Sequence, residues 1–286
     1  MTSTDLGLVR PGFGSGLADV LRSRFLLKLL VRKELKVRYR GSVLGLLWSY
    51  VKPGVQFIVF YVALGIFLGL ERGLENYAVY LFSGIVLINF FSEALANAAR
   101  SIVANGGLIK KIYLPRELFP VASVWVSAVH FVPQMVVLLI GCVAAGWRPG
   151  ILQLAAAGAG FVIVAMLATG LGLLFGSVNV YFRDSENLVD LLLMMATWAS
   201  PVMYSWTMVR NQIGDLGFTI YQMNPLTIGV EAFHFAFWLP TTDGSQGVPP
   251  NLLALWIPVG VLTAAAVLVI GQLTFRRLEG RFAQEL

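Results

Sequence analysis

The chain has 286 residues, 57% of them hydrophobic and 13% charged, with a formal charge of +6 and a mean hydropathy of +0.77. That balance excludes a soluble domain and indicates a polytopic membrane protein. One cysteine, Cys142, rules out an intrachain disulfide, and the positive charge is no nucleic-acid signature, because Lys and Arg gather beside apolar runs.

Residues 1–16 read as a flexible Gly-rich tail with no secretory signal, which keeps the N-terminus in the cytoplasm. Residues 17–40 read as an amphipathic helix. Arg24, Lys28, Arg32, Lys36 and Arg40 recur every four residues, with Leu26, Leu29, Leu30 and Val37 broadly opposite. Eight Lys/Arg between Arg22 and Arg40 do not lie in hydrocarbon, where each costs roughly 2.5–3.5 kcal/mol at a helix centre. A basic helix of this kind suits the cytoplasmic membrane surface, and it also serves as a topology-setting flank.

Residues 41–275 read as a six-span, all-α transmembrane domain. The spans fall at 53–70, 77–99, 118–143, 151–178, 188–204 and 252–275, followed by a cytoplasmic tail at 276–286. Trp48 and Tyr50 anchor the first span at the interface, and Gly65 and Gly69 on it hint at close helix contact. Region 205–251 holds an apolar piece at 225–239, short of the roughly 20 residues a crossing needs. A re-entrant or interfacial helix pair on the outer side fits it better than a seventh span. With both termini inside, eighteen of the 21 Lys/Arg fall on the cytoplasmic side and only Arg72, Arg148 and Arg210 outside. This places the chain in the cytoplasmic (inner) membrane.

The loop 100–117 is too polar for lipid and too patterned for a linker. Gly106 and Gly107 break the preceding helix, at roughly 1 kcal/mol per glycine in a helix interior. Leu108, Ile109, Ile112 and Tyr113 then recur at helical spacing, with Lys110 and Lys111 between them. Pro115 ends that turn, and Arg116 follows. The pattern predicts a short amphipathic helix at 105–115 outside the bilayer, able to dock into a groove of a soluble partner; the plainer reading is a solvated loop on lipid headgroups.

Catalytic and metal-binding sets are missing from the sequence: it has no GxxxxGK[ST], no HExxH, no GxSxG and no Asp-rich magnesium cluster. His130 and Gln134 share a helix face mid-span, as a packing contact or, less simply, a proton relay. Asn89, Glu93 and Asn97 form one polar stripe on the second span, which faces either a partner helix or an aqueous path. Asp190 is placed to pair with Arg183. Phe57, Phe60 and Tyr61 line the first span and offer ring faces to a passing sugar, unless they are lipid-facing or core.

Taken in order, five motifs resemble one family. They are Arg32-Lys-Glu-Leu-Lys-Val-Arg-Tyr-Arg-Gly-Ser-Val-Leu-Gly-Leu-Leu-Trp48 with Lys52-Pro53; the stretch 105–120; Tyr181-Phe-Arg-Asp184 with Ser200-Pro-Val-Met-Tyr204; Tyr221-Gln-Met-Asn-Pro225; and Arg277-Leu-Glu279 with Phe282. Together they resemble the permease subunits of polysaccharide and polyol-phosphate ABC exporters. The resemblance implies a homodimer of six-span permeases carrying two separate ATPase subunits. Those subunits bind ATP and magnesium, leaving this chain without a cofactor. It implies that 105–115 couples to the ATPase, and that the cargo is a lipid-linked polymer such as O-antigen, capsule, teichoic acid or galactan. Two other readings stay open: an exporter of a small hydrophobic compound, and a membrane enzyme acting on lipid-linked sugars, for which only Glu93 and Asp190 are available acids.

Overall fold

A computed structural model describes residues 16–43, 45–112, 114–244 and 246–286, with the backbone alone at Leu46. Among these residues the secondary structure is entirely helical. Tyr113 and all but the last residue of the predicted tail 1–16 lie outside them.

The expected single helix at 17–40 is two. α1 (Leu17–Arg22) and α2 (Arg24–Arg38) meet at Ser23, whose φ of −95° and ψ of 38° leave the helical region. The break lets α1 turn Val20 into the protein while α2 keeps Arg24, Lys28, Arg32 and Lys36 exposed. Arg40, also exposed, lies beyond the helix end.

α3 (Trp48–Phe60) continues into a π-helical turn over Tyr61–Phe67. α4 (Tyr77–Ala104) is the central rod, leading into the single turn α5 (Gly106–Ile109). α6 (Leu118–Ala144), α7 (Ile151–Tyr181) and α8 (Ser185–Trp198) follow. Next come α9 (Trp206–Gln222), bent at Gly214, and α10 (Pro225–Phe233). α11 (Ile257–Leu278) and α12 (Phe282–Glu285) close the chain. Among the described residues, five helical stretches are long and apolar enough to cross a membrane: Trp48–Phe67, Tyr77–Ala104, Leu118–Ala144, Ile151–Tyr181 and Leu252–Glu285. α8, with 14 residues, falls short as a helix, because the chain leaves the helical path at Ala199 ahead of Pro201.

Small residues set the tightest packing, as expected where lipid supplies no hydrophobic drive between helices. α7 and α11 touch backbone to backbone at Gly170 and Gly271; a Cβ on Gly271 would sit 2.0 Å from the Gly170 carbonyl oxygen. Gly271→Ala is therefore expected to pry the pair apart and cost about 1–3 kcal/mol, as overpacking does. It should show as a lower unfolding midpoint in detergent, while Gly158→Ala, where a Cβ meets nothing within 4 Å, should hold or raise the midpoint, because alanine favours the helix.

Of the re-entrant and interfacial alternatives for 205–251, α10 does not lie on a surface. Every residue from Leu226 to Phe233 is buried, and the helix sits between α4, α7 and α11. Asn224 caps it by accepting from the Leu226 amide at 3.0 Å, and Pro225 takes the first helical position. The fit is close because Gly160 and Gly229 oppose each other across α7 and α10.

Candidate functional site

The polar stripe of α4 faces a cleft. Asn89, Glu93 and Asn97 line a cleft of about 530 Å³ together with Arg38, Tyr39, Ser49, Lys52 and His130. The start of α3 lines it on one side, and α2, α4 and α6 bring its charged groups together. α2 ends at Arg38, α4 presents Glu93 one helical turn before Asn97, and α6 brings His130 across.

The geometry centres on the Glu93 carboxylate. Arg38 Nη1 and His130 Nδ1, the latter at 2.6 Å, both donate to Glu93 Oε1. Arg38 Nη2 donates to Asn97 Oδ1 at 3.0 Å. On the far side of the imidazole, Nε2 meets the Tyr39 hydroxyl at 2.8 Å, and that hydroxyl meets Ser49 Oγ at 3.2 Å. A continuous chain thus runs from the start of α3 through the end of α2 to α6 and α4. Two cationic or hydrogen-bonded partners on one carboxylate hold it in a partly buried place where an unpaired charge would be costly. Asn89 Nδ2 is buried without a partner.

His130 and Gln134 do not bond side chain to side chain. Gln134 Nε2 reaches the His130 carbonyl at 3.3 Å, and the imidazole turns instead to Glu93 and Tyr39. Asp190 also takes a different partner. Arg100, not Arg183, bonds both of its oxygens at 2.9 and 3.0 Å and reaches Glu186 at 3.1 Å, because α4 and α8 lie side by side there. Arg38 and Tyr39 join the site although the every-fourth-residue basic stripe of α2 passes them by. The signal was present: Leu27, Val31, Glu34 and Arg38 share one face of α2, and a cation on the face that packs inward needs an anion across from it.

A second, apolar groove of about 690 Å³ runs along α3 beside α4 and α6, and it shares Pro53 and Gln134 with the cleft. Phe57 lines it. Phe60 and Tyr61 pack instead against the core, with Tyr61 stacked between Phe57 and Tyr77.

The loop after α4 is shorter as a helix than expected and is bolted to its own chain. Ile109 is buried and Leu108 half-buried in a cluster with Leu118, Phe119, Phe275 and Phe282. The turn lies against the end of the chain, where a Cβ on Gly106 would meet Leu286 at 3.5 Å. Lys33 Nζ holds Asn105 Oδ1 at 2.7 Å, tying α2 to the same turn. Arg116 also turns inward, its guanidinium 5.7 Å from the centre of the Phe282 ring. Lys110, Lys111 and Ile112 remain exposed, and Pro115 is half-buried. Among the described residues no group of three His, Cys, Asp or Glu is placed to hold a metal ion.

The model of the ABC-2 type transporter family matches residues 26–238. The chain is 27% identical to the O-antigen export system permease protein RfbA of Klebsiella pneumoniae, over 91% of this chain and 95% of that one. It is 25% identical to the protein of the same name in Myxococcus xanthus, over 83% and 91%. It is 23% identical to the polysialic acid transport protein KpsM of Escherichia coli, over 83% and 90%.

Proposed function

Since the chain belongs to the ABC-2 type transporter family, we propose that it is the permease subunit of an ATP-driven exporter that moves a lipid-linked polysaccharide out across the cytoplasmic membrane. Its similarity to O-antigen and polysialic acid permeases over most of its length supports a polysaccharide cargo. The observation that carries the reading is a charged cleft lying beside an apolar groove, with Pro53 and Gln134 lining both. A small hydrophobic drug has no use for the charged half; a lipid bearing a polar polymer uses both.

In this reading two copies of the chain pair in the membrane, and two ATPase subunits sit beneath them and supply ATP and magnesium. Both termini lie in the cytoplasm. Lys110, Lys111 and Ile112 are the exposed part of the loop and meet the ATPase, an arrangement consistent with an apolar side chain filling a groove and cations at its rim. Glu93 and His130 take the place a catalytic pair would need, yet their hydrogen bonds are spent on Arg38 and Tyr39, which favours holding over bond-breaking.

Co-expression with the ATPase chain of the same exporter tests the proposal. The two should co-purify, ATP hydrolysis should require the ATPase subunit alone for its chemistry, and loss of the permease should leave the polymer on the inner side. Co-purification without any effect of the permease on surface polymer would overturn the polysaccharide cargo.

A further inference from the structure

Segment 279–286, beyond α11, lines neither cavity, yet Glu279 and Phe282 on it are buried. Its contacts go to the loop that carries Lys110, Lys111 and Ile112. Phe282 belongs to one apolar cluster with Ile109, Leu118 and Phe119, and Arg116 lies over its ring. A Cβ on Gly106 would meet Leu286 Cβ at 3.5 Å. α7 pins the segment from the other side, the Tyr181 hydroxyl donating to the Leu278 carbonyl at 2.7 Å. Two acids meet inside this contact. Glu117, also buried, accepts from Gln272 Nε2 at 3.1 Å. Burial and the Glu117 charge push the Glu279 carboxyl up to about 7, while Arg116 and Arg276 pull it the other way.

We propose that residues 279–286 are a clamp that positions the loop for the ATPase, and that a proton shared between Glu117 and Glu279 keeps the clamp closed. The proposal rests on the exporter reading for the partner being an ATPase. Phe282 and Leu286 hold the inner side of the turn, which leaves Lys110, Lys111 and Ile112 to project from its outer side. Two buried carboxylates placed together resist ionising together. Loss of the shared proton therefore pushes the segment off the loop. The hold is complete below the ordinary glutamate range and is lost as pH rises through about 7. One pH unit above that value about a tenth of the molecules keep the proton, so apparent affinity for the ATPase falls about tenfold.

The test measures binding of the exporter's ATPase subunit to the full-length permease in lipid nanodiscs. Between about pH 6 and about pH 8 the wild type should weaken about tenfold. Glu279→Gln cannot ionise and should stay at the tight end throughout. The ATPase's own response to pH is common to both proteins and cancels in the comparison. A cross-link gives a second readout, because the 3.5 Å between the Cβ positions at Gly106 and Leu286 suits a disulfide. Gly106→Cys combined with Leu286→Cys should bind tightly at both ends of the range when oxidised and regain the pH dependence on reduction. Equal slopes for wild type and Glu279→Gln, or an oxidised cross-link that leaves the fall in place, would each overturn the proposal and leave the exporter standing. A wild type that binds no ATPase at any pH would remove the exporter reading, and the clamp with it.

Discussion

Ile112→Asp is expected to leave the permease in the membrane at wild-type yield while abolishing ATPase co-purification and polymer export. Ile112 is 51% exposed, whereas Ile109, three residues earlier, is 8% exposed. Their neighbours differ accordingly: Lys110 and Lys111 beside Ile112 face outward, and Leu118, Phe119 and Phe282 surround Ile109. Filling a partner's groove with Ile112 is worth about 1.5–3 kcal/mol, and a carboxylate in its place adds a desolvation cost. The combined loss is on the order of a hundredfold in association or more. Ile109→Asp should fail earlier and differently. It puts a charge into the permease's own apolar cluster, among the most damaging classes of substitution, so membrane yield itself should fall. Lys111→Ala should do less than either, because a rim charge acts more on association rate than on affinity. Yield, ATPase co-purification and surface polymer, measured on the three variants, separate these outcomes. If Ile112→Asp keeps both the ATPase and export at wild-type level, the loop is a lipid-bound connector and the ATPase contact belongs on α2.

Ile109 and Ile112 also mark how far the sequence could be read. Apolar run lengths located α3, α4, α6, α7 and α11 because a bilayer imposes one length on every crossing segment. Helical spacing put Asn89, Glu93 and Asn97 on one face, and the cleft lies on that face. Spacing does not say which side of a one-turn helix meets the protein, and so Leu108, Ile109 and Arg116 were expected outward. Partners distant in sequence are similarly silent. Arg100 lies 90 residues from Asp190, and Arg38 lies 92 from His130; local pattern offered Arg183 and Gln134 instead. α10 is visible in the sequence as the apolar piece at 225–239, but a helix buried on all sides offers no polar face that would tell its depth.

Cysteines introduced at Gln246 and Gln284 are expected to react from opposite sides of the membrane, Gln246 from outside and Gln284 from the cytoplasm. The expectation rests on a ruler within the molecule. From Tyr80 to Arg100, α4 rises about 30 Å, the thickness of the hydrocarbon layer. At one end Arg100 bonds Glu186 and Asp190. At the other the Tyr80 hydroxyl donates to the carbonyls of Pro201 and Tyr204. The chain from Glu186 to Tyr204 therefore covers the depth of a full crossing, although only Ser185–Trp198 of it is helix. The region 205–251 then leaves and returns at that same end. Trp238 Nε1 donates to the Glu75 carbonyl at 2.7 Å, and Asn76 Nδ2 donates to the Thr241 carbonyl at 2.6 Å, both beside the start of α4. Between these ties Gly229 reaches inward only as far as Leu87 and Val164. With α10 dipping and coming back, the expected topology has α11 carry the chain across once more, to the level where Gln272 bonds Glu117 at 3.1 Å. Cys142 is buried and should stay silent to the reagent, which leaves the two introduced thiols to report alone. Reaction of both from one side would mean that either the segment ending at Tyr204 or the hairpin of α9 and α10 had been assigned the wrong number of crossings.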